Sequence, residues 1–472
     1  MSGLSYAAAL EAIAERGRFG IRLGLGRTQA LLAGLGNPER AVRGALVGGT
    51  NGKGSVLALA GSALREAGYR TGLTPKPHLV TYRERLEIDG RLISPDAFAG
   101  LIEELLPIAD RVGRRLGQPT EFELLTAAIF CWFAREEVDV AVVEVGLGGR
   151  LDATHAWDGG VAAITNVDLD HMAQLGSTVA AIAREKAAII GRGDVAVTGA
   201  VADARAIIRR RALRMGAPLT IVEPAPLLGW DRDGIEVELG RLGRTRVGLR
   251  GRHQAANVAV ADAVLDALEA AGIAVVPAEA RRRGYAGARW PGRLELLEVA
   301  RPGAARPGAA RPGAARPGSG EVTEVILDGA HNPAGAAALS VALDDLRPFL
   351  AGGASATPPA LTLVLGIMAD KDVDGMLRAL ATPVLRGATV VATAVGLPRA
   401  LPATQLAAAW AARHPGGQVI VEPDVPAAVE RALRIAPGPV VVAGSLYLVG
   451  QARALLMPDP LLADPGAPIM GR

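Results

Sequence analysis

The segment VGGTNGKGSV, Val47 to Val56, has the residue types of a phosphate-binding loop in an altered spacing. A loop of the common form G-x-x-x-x-G-K-[ST] needs Gly where this chain has Val47, and a hydroxyl directly after Lys53, where it has Gly54. Anion-binding chemistry survives the change. Glycines free backbone N–H groups to face a phosphate, a following helix adds its positive end, and Lys53 reaches the terminal phosphates. Gly49, Thr50, Asn51, Gly52, Lys53, Gly54 and Ser55 are therefore candidate nucleotide contacts, with Ser55, displaced by one position, read as a cap of the helix. A glycine-rich turn alone carries little; this one follows an apolar strand and opens a helical pattern, which favours nucleotide binding over a structural turn.

A second set of residues suits a divalent metal. Glu144 ends the apolar run VAVVE, and His171 lies in ITNVDLDH, also at a strand end, where doubly wound sheets build their sites. A histidine by itself is as readily a packing residue as a ligand. Lysine is rare: Lys53, Lys76, Lys186 and Lys371 are the only four, so the 51 basic residues less these 4 leave 47 arginines. With arginine the default cation, each lysine marks a place that needs a compact or titratable amine, or else survives by chance. Lys186, in REKAAII, would alone be read as a solvated helix residue.

These residues need a frame. RGALVGGT, YRTGL, VDVAVVEVG, GVAAITNV and DVAVTG are strand-like and alternate with helical stretches such as SVLALAGSALREAG and STVAAIAREKAAII. That is the pattern of a parallel sheet covered by helices on both faces. A more β-like stretch follows from Leu227 to Leu249, then a long helix, HQAANVAVADAVLDALEAAG, to Gly272. RRRGYAGARWPGRLELLEV reads as a junction, with Pro291 as breaker. EVILDGA, LTLVLGI, ATVVATAVG, GQVIVE and GPVVVAG then form a second, smaller doubly wound series. The repeat ARPGAARPGAARPGAARPGSG, at about 300–320, is expected to be a flexible, solvated insertion between two strands; an arginine-rich arm for an anionic partner is the other reading.

Composition removes several classes. The chain has 472 residues, 50% of them apolar, enough for ordered cores. Its 51 basic residues meet 48 acidic ones and aromatics are only 3%, which leaves neither a basic stripe nor stacking platforms for nucleic acid. No run reaches the roughly 18 apolar residues of a membrane span. The lone Cys131, in AAIFCWFA, is expected to be buried, and the N-terminus reads as an amphipathic helix rather than a signal sequence. A cytoplasmic monomer acting on small molecules is the expectation.

GTNGKGS, EVGLGGRLDAT, the LDH of ITNVDLDH, AREKAAII, GRHQAAN, PGRLE, DGAHNP, MADKD and GSLYLVG stand in an order that resembles the folylpolyglutamate synthases and dihydrofolate synthases of the Mur ligase superfamily. The resemblance covers nearly the whole chain. It implies an α/β fold: a P-loop ATPase domain over 1–290 with a mostly parallel sheet, and a Rossmann-like glutamate-ligase domain over 291–472. It implies a ligase that uses ATP and Mg²⁺ to phosphorylate a carboxylate of dihydropteroate or folate, so that the amine of L-glutamate attacks an acyl phosphate.

Residue by residue, the resemblance puts the phosphates on Lys53 and the loop amides, and Mg²⁺ on Glu144, His171 and Ser55. Lys186 matches a lysine that becomes carbamylated, a change closed to arginine. Asn257, with Gln254 and His253, resembles a nucleotide contact, unless these residues only cap the helix. Arg293 resembles an arginine that reaches ATP phosphate. Asp328 and His331 resemble residues that close on nucleotide and glutamate, and Ser445 can join them. Lys53, Lys186, Asp328 and His331 are the expected catalytic residues; Asp370 and Lys371 match a motif of looser role. Thr120, Phe122, Glu123 and Asp152 resemble the pterin side, although Phe122 and Leu125 equally suit a helix core.

Two positions depart from the pattern. Lys76 replaces a serine that helps hold Mg²⁺, and a protonated amine cannot ligate a metal. It is expected either to bring positive charge to the phosphates or to point to solvent. His155 stands where an Asn is usual. Synthesis of dihydrofolate together with extension of the glutamate tail is the favoured activity; extension alone, or ligation to a different carboxylate, are the alternatives. A nucleotide-binding regulator would not need Lys186, Arg293 and His331 together.

Overall fold

The runs Gly44–Gly48, Thr71–Thr74 and Val140–Glu144 are buried along their whole length, as apolar strands must be in a sheet covered on both faces. The computed structural model describes residues 3–464 other than 18, 19, 21, 303–321, 352, 354, 356, 357, 415, 416, 460, 461 and 463. The first sheet contains β1 (Gly44–Gly48), β2 (Thr71–Thr74), β3 (Glu87–Ile88), β4 (Arg91–Leu92), β5 (Val140–Glu144), β6 (Gly160–Ile164), β7 (Val195–Thr198) and β8 (Leu219–Ile221). Their spatial order is β4-β3-β2-β5-β1-β6-β7-β8, parallel except at the β3 and β4 edge. Val47 pairs with Glu144 and Gly48 with Ile164, so β1, β5 and β6 end side by side on one crevice.

The β-like stretch after residue 226 is a separate antiparallel sheet of β9 (Leu227–Asp231), β10 (Gly234–Leu239) and β11 (Gly243–Val247). Helices Gln254–Ala270 and Ala278–Gly287 then return to pack on helix Lys53–Glu66. The second of these corrects the junction expected over RRRGYAG. Glycine there serves contact rather than flexibility: a Cβ on Gly284 would lie 2.4 Å from the Cα of Ala63. Arg281 is buried and bonded to Asp262 and Asp266 at 3.0 and 2.8 Å. Residues 288–294 lead from helix Ala278–Gly287 into the next sheet.

The second sheet holds β12 (Glu295–Ala300), β13 (Val322–Asp328), β14 (Thr362–Leu365), β15 (Thr389–Ala392), β16 (Val419–Val421) and β17 (Val440–Ala443) in the order β12-β13-β17-β14-β15-β16. β12, formed by residues read as junction, pairs antiparallel with β13, and the remaining pairings are parallel. The arginine-proline-glycine repeat runs between β12 and β13 and lies outside the described residues. Apolar layers cover both faces of the two larger sheets, and Cys131 is buried in one of them. Among the described residues no helix is long and apolar enough to cross a membrane.

Candidate active site

After β1 the chain turns through Gly49 and Gly52, with φ of 143° and 82°. A Cβ would sit 1.9 Å from Thr165 Oγ1 at the first and 2.2 Å from Asn257 Oδ1 at the second, so both need glycine for shape as well as space. Gly52 itself provides the N-cap of helix Lys53–Glu66, with no side-chain cap bond. Ser55 is therefore not the cap expected of it; it lies buried in the first turn. Asn51 N–H donates to Asn166 Oδ1 at 2.9 Å, and Thr50 Oγ1 donates to the Asp168 carbonyl at 3.1 Å, which braces the loop against the end of β6.

Lys53 Nζ donates to the Gly49 and Thr50 carbonyls at 3.2 and 3.0 Å and stands 3.8 Å from Glu144 Oε1. Burial lowers its pKa, and Glu144 opposes that shift. Burial likewise pushes the Glu144 carboxyl up, against the pull of Lys53, while its Oε2 accepts the Lys76 N–H at 2.9 Å. Lys186 is buried rather than solvated. Its Nζ donates to the Gly49 carbonyl at 2.8 Å, and burial, helped by the Lys53 charge, brings its pKa down to about 7. Near neutral pH a large share of that amine is free base.

His171 adopts a left-handed backbone, φ 50°, just before a short helix. Burial and the Lys371 ammonium, 3.4 Å from its Nε2, hold its pKa at about 4, so the ring is neutral at pH 7 and keeps a lone pair to donate. Beside it, Asp170 is a hub that the sequence reading did not single out. Its carboxylate accepts Lys371 Nζ at 2.7 Å and Asn332 Nδ2 at 3.1 Å. His331 Nε2 stands 3.9 Å away. Burial, the largest single influence, would raise its pKa, but the Lys371 charge and hydrogen bond together with His171 and His331 outweigh it, and Asp170 stays ionised well below the usual carboxylate range. The signal was the repeated acid in D-L-D-H next to His171.

The second sheet contributes from the end of β13. Asp328 accepts the N–H groups of Leu294 and Ala330, both at 2.9 Å, and so fixes the chain on either side of the crevice; burial raises its pKa against the pull of Arg293. His331 Nδ1 lies 2.8 Å from the Gly329 carbonyl, which assigns its proton to Nδ1 and leaves Nε2 as an acceptor. Burial, with Lys371 and Arg293, holds its pKa near 3. Asn332 caps helix Pro333–Leu346 through its Oδ1 while its Nδ2 reaches Asn51 Oδ1 at 3.0 Å, tying the second domain to the loop.

A cavity of about 350 Å³ is bounded by the loop from Gly49 to Ser55 together with Lys76, Glu144, His171, Lys186, Asn257, Arg293, Asp328 and His331. Asn257 and Gln254 bond to each other at 2.9 Å and line this cavity instead of capping their helix. All four lysines meet here, Lys371 at the rim through Asp170 and His171. Lys76 is 8% exposed, which removes the solvent-pointing alternative.

Other expected site residues are engaged elsewhere. Thr120 and Glu123 form a capping box on helix Glu121–Arg135, and Glu123 also bonds Arg27 at 3.0 Å. Ser445 caps helix Leu446–Leu456, and Leu446 lines the cavity in its place. His155 is bonded to the Arg150 carbonyl at 3.1 Å, Asp370 to Arg399 at 3.2 Å, and Leu125 is in the core. Phe122 and Asp152 stand against Gly146, where a Cβ would meet them at 2.6 and 3.1 Å, so they back one wall of the cleft.

Among the described residues no three His, Cys, Asp or Glu side chains gather into a metal cluster. Glu144, a buried carboxylate, and the Ser55 hydroxyl nevertheless suit Mg²⁺, which takes few protein oxygens and completes its shell with water and substrate phosphate. His171 adds a neutral nitrogen, a less usual donor for this ion.

A family model described as dihydrofolate synthetase, C-terminal domain, matches residues 315–455. The dihydrofolate synthase/folylpolyglutamate synthase of Bacillus subtilis is 34% identical over 388 residues, 80% of this chain and 83% of that protein. The structure of Mycobacterium tuberculosis folylpolyglutamate synthase complexed with ADP and AMPPCP aligns with a TM-score of 0.80 at 32% identity, covering 97% of this chain and 100% of that one. E. coli FolC in complex with DHPP and ADP aligns with a TM-score of 0.76 at 28% identity, covering 96% and 97%.

Proposed function

The chain belongs to the family of dihydrofolate synthases and folylpolyglutamate synthases, and from that premise we propose that it is an ATP-dependent ligase joining L-glutamate to dihydropteroate and to the γ-carboxylate of tetrahydrofolate. The observation that carries this reading is the single cleft built from both domains, in which a phosphate loop and Lys53 face Arg293, Asp328 and His331. A carboxylate is a poor electrophile; taking the γ-phosphoryl group of ATP gives it a leaving group. The glutamate amine then forms the C–N bond and gives up a proton as the acyl C–O bond breaks, releasing phosphate.

Loop amides and Lys53 hold the phosphates, with Arg293 approaching from the other domain. Glu144 and Ser55, with His171 beside them, would hold Mg²⁺, which would supply neutralisation of phosphate charge. Lys186 adds CO₂ through its free amine, forming an N–C bond with loss of a proton, and becomes an anionic carbamate. His331 Nε2 accepts a hydrogen bond from the incoming amine. The closed cleft keeps water from the acyl phosphate. A cytoplasmic location is the reading that the single, buried and unpaired cysteine supports.

The test is ADP release with MgATP and L-glutamate in the presence of 7,8-dihydropteroate, of tetrahydrofolate, or of neither, with product masses. Turnover with both pterins, each product heavier by one glutamyl residue, is expected. Turnover with one alone assigns that single step, and pterin-independent or absent turnover by folded protein removes the reading.

A further inference from the structure

Lys76 is more than nine-tenths buried, lines the cleft, and its ammonium has no hydrogen-bond partner. Its Nζ stands 4.3 Å from the centre of the Phe122 ring. Cation–π attraction offsets part of the lost hydration but satisfies none of the three N–H donors. The nearby carboxylates are committed to other groups. Glu144 faces Lys53 with one oxygen and takes the main-chain N–H of Lys76 itself with the other. Asp152 accepts the N–H groups of Leu147 and Thr154 at 2.8 and 3.0 Å. A buried amine with no hydrogen-bond partner therefore stands against the Phe122 ring at the edge of the cleft, its pKa drawn down by burial to about 7.

We propose that Lys76 receives the carboxylate of the pterin substrate and stays bonded to an oxygen of the acyl phosphate formed from it. This rests on the ligase reading above and moves Lys76 from the ATP phosphates, where the sequence put it, to the acceptor. The reacting carboxylate must lie between the loop that delivers the phosphoryl group and the wall that receives the rest of the substrate. Lys76 stands at that boundary. The Phe122 ring beside it suits the aromatic ring that bears the carboxylate in a pteroate. A serine at this position would offer one neutral donor; an ammonium offers three charged ones, and so a stronger preference for an anionic acceptor.

The experiment is a comparison of binding of 7,8-dihydropteroate and of its analogue lacking the carboxylate, each to wild type, Lys76→Gln and Lys76→Arg, with ADP affinity measured alongside. Wild type is expected to prefer the carboxylate ligand by about tenfold or more. Lys76→Gln should lose most of that ratio, Lys76→Arg recover part of it, and ADP affinity stay unchanged in both. Should Lys76→Gln not fold, Lys76→Met carries the same comparison. An undiminished ratio without the amine, or a matching loss of ADP affinity, overturns the assignment while leaving the ligase reading intact. Wild type that neither binds dihydropteroate nor turns over with glutamate overturns both.

Discussion

The two buried amines next to the phosphate loop differ in what they can do. Among the described residues Lys53 bonds to its own loop carbonyls and to the charge of Glu144, positions that a phosphate would take over. Lys186, with a pKa of about 7, is mostly ammonium below that pH and mostly free amine above it. Carbamate formation needs the free amine, so its extent rises with pH through about 7 and with bicarbonate. ¹³C-bicarbonate should give a carbamate signal that grows between pH 6 and 8, and activity in CO₂-depleted buffer should fall in parallel. Lys186→Arg should show neither the signal nor more than about 1% of the activity, since a guanidinium stays protonated. A Lys186→Arg enzyme of normal rate would remove the carbamate from the scheme.

Among the elements, helix Glu121–Arg135 separates a structural from a substrate role. Likeness to the family assigns Thr120 and Glu123 to the pterin, whereas T-x-x-E is itself a capping-box spacing, and the structure forms that box. Thr120→Ala should cost about 1 kcal/mol of stability in urea melts and leave the pterin KM within about twofold. A tenfold KM change without lost stability would favour the substrate role. The loop tests the opposite case. Gly52→Ala adds a Cβ at positive φ against Asn257, and should weaken ADP binding by about tenfold or more while costing about 1–3 kcal/mol of stability. ADP titration and a melting curve of the same sample check both. Strand and loop were legible here because each is one contiguous stretch with a local pattern. Helix Ala278–Gly287 was not, because the use of its glycine is decided by Ala63, more than two hundred residues earlier.

Across the whole molecule, the two domains are joined at the site by Asp170, which takes Lys371 and Asn332 from the second domain. Asp170→Ala removes both contacts and leaves Lys371 without its carboxylate, with only the His171 ring beside it; scattering should report a larger radius of gyration without ligands, with the glutamate KM raised about tenfold. An unchanged radius and KM would make the contact incidental to closure. Such a hub escapes a sequence reading for a physical reason: Asp170 and Lys371 are about two hundred positions apart, and neither has meaning until the domains meet. Lys53 was easier to place because the carbonyls it bonds, those of Gly49 and Thr50, are its neighbours in the chain. The gathering of every lysine in this cleft has a practical side as well. Every lysine side chain is more than four-fifths buried, so an acyl group that an amine-directed reagent leaves on a lysine of the folded protein reports on the site. ATP should shield that group, and a lysine-specific peptidase, needing an accessible cut site, should leave the native protein whole.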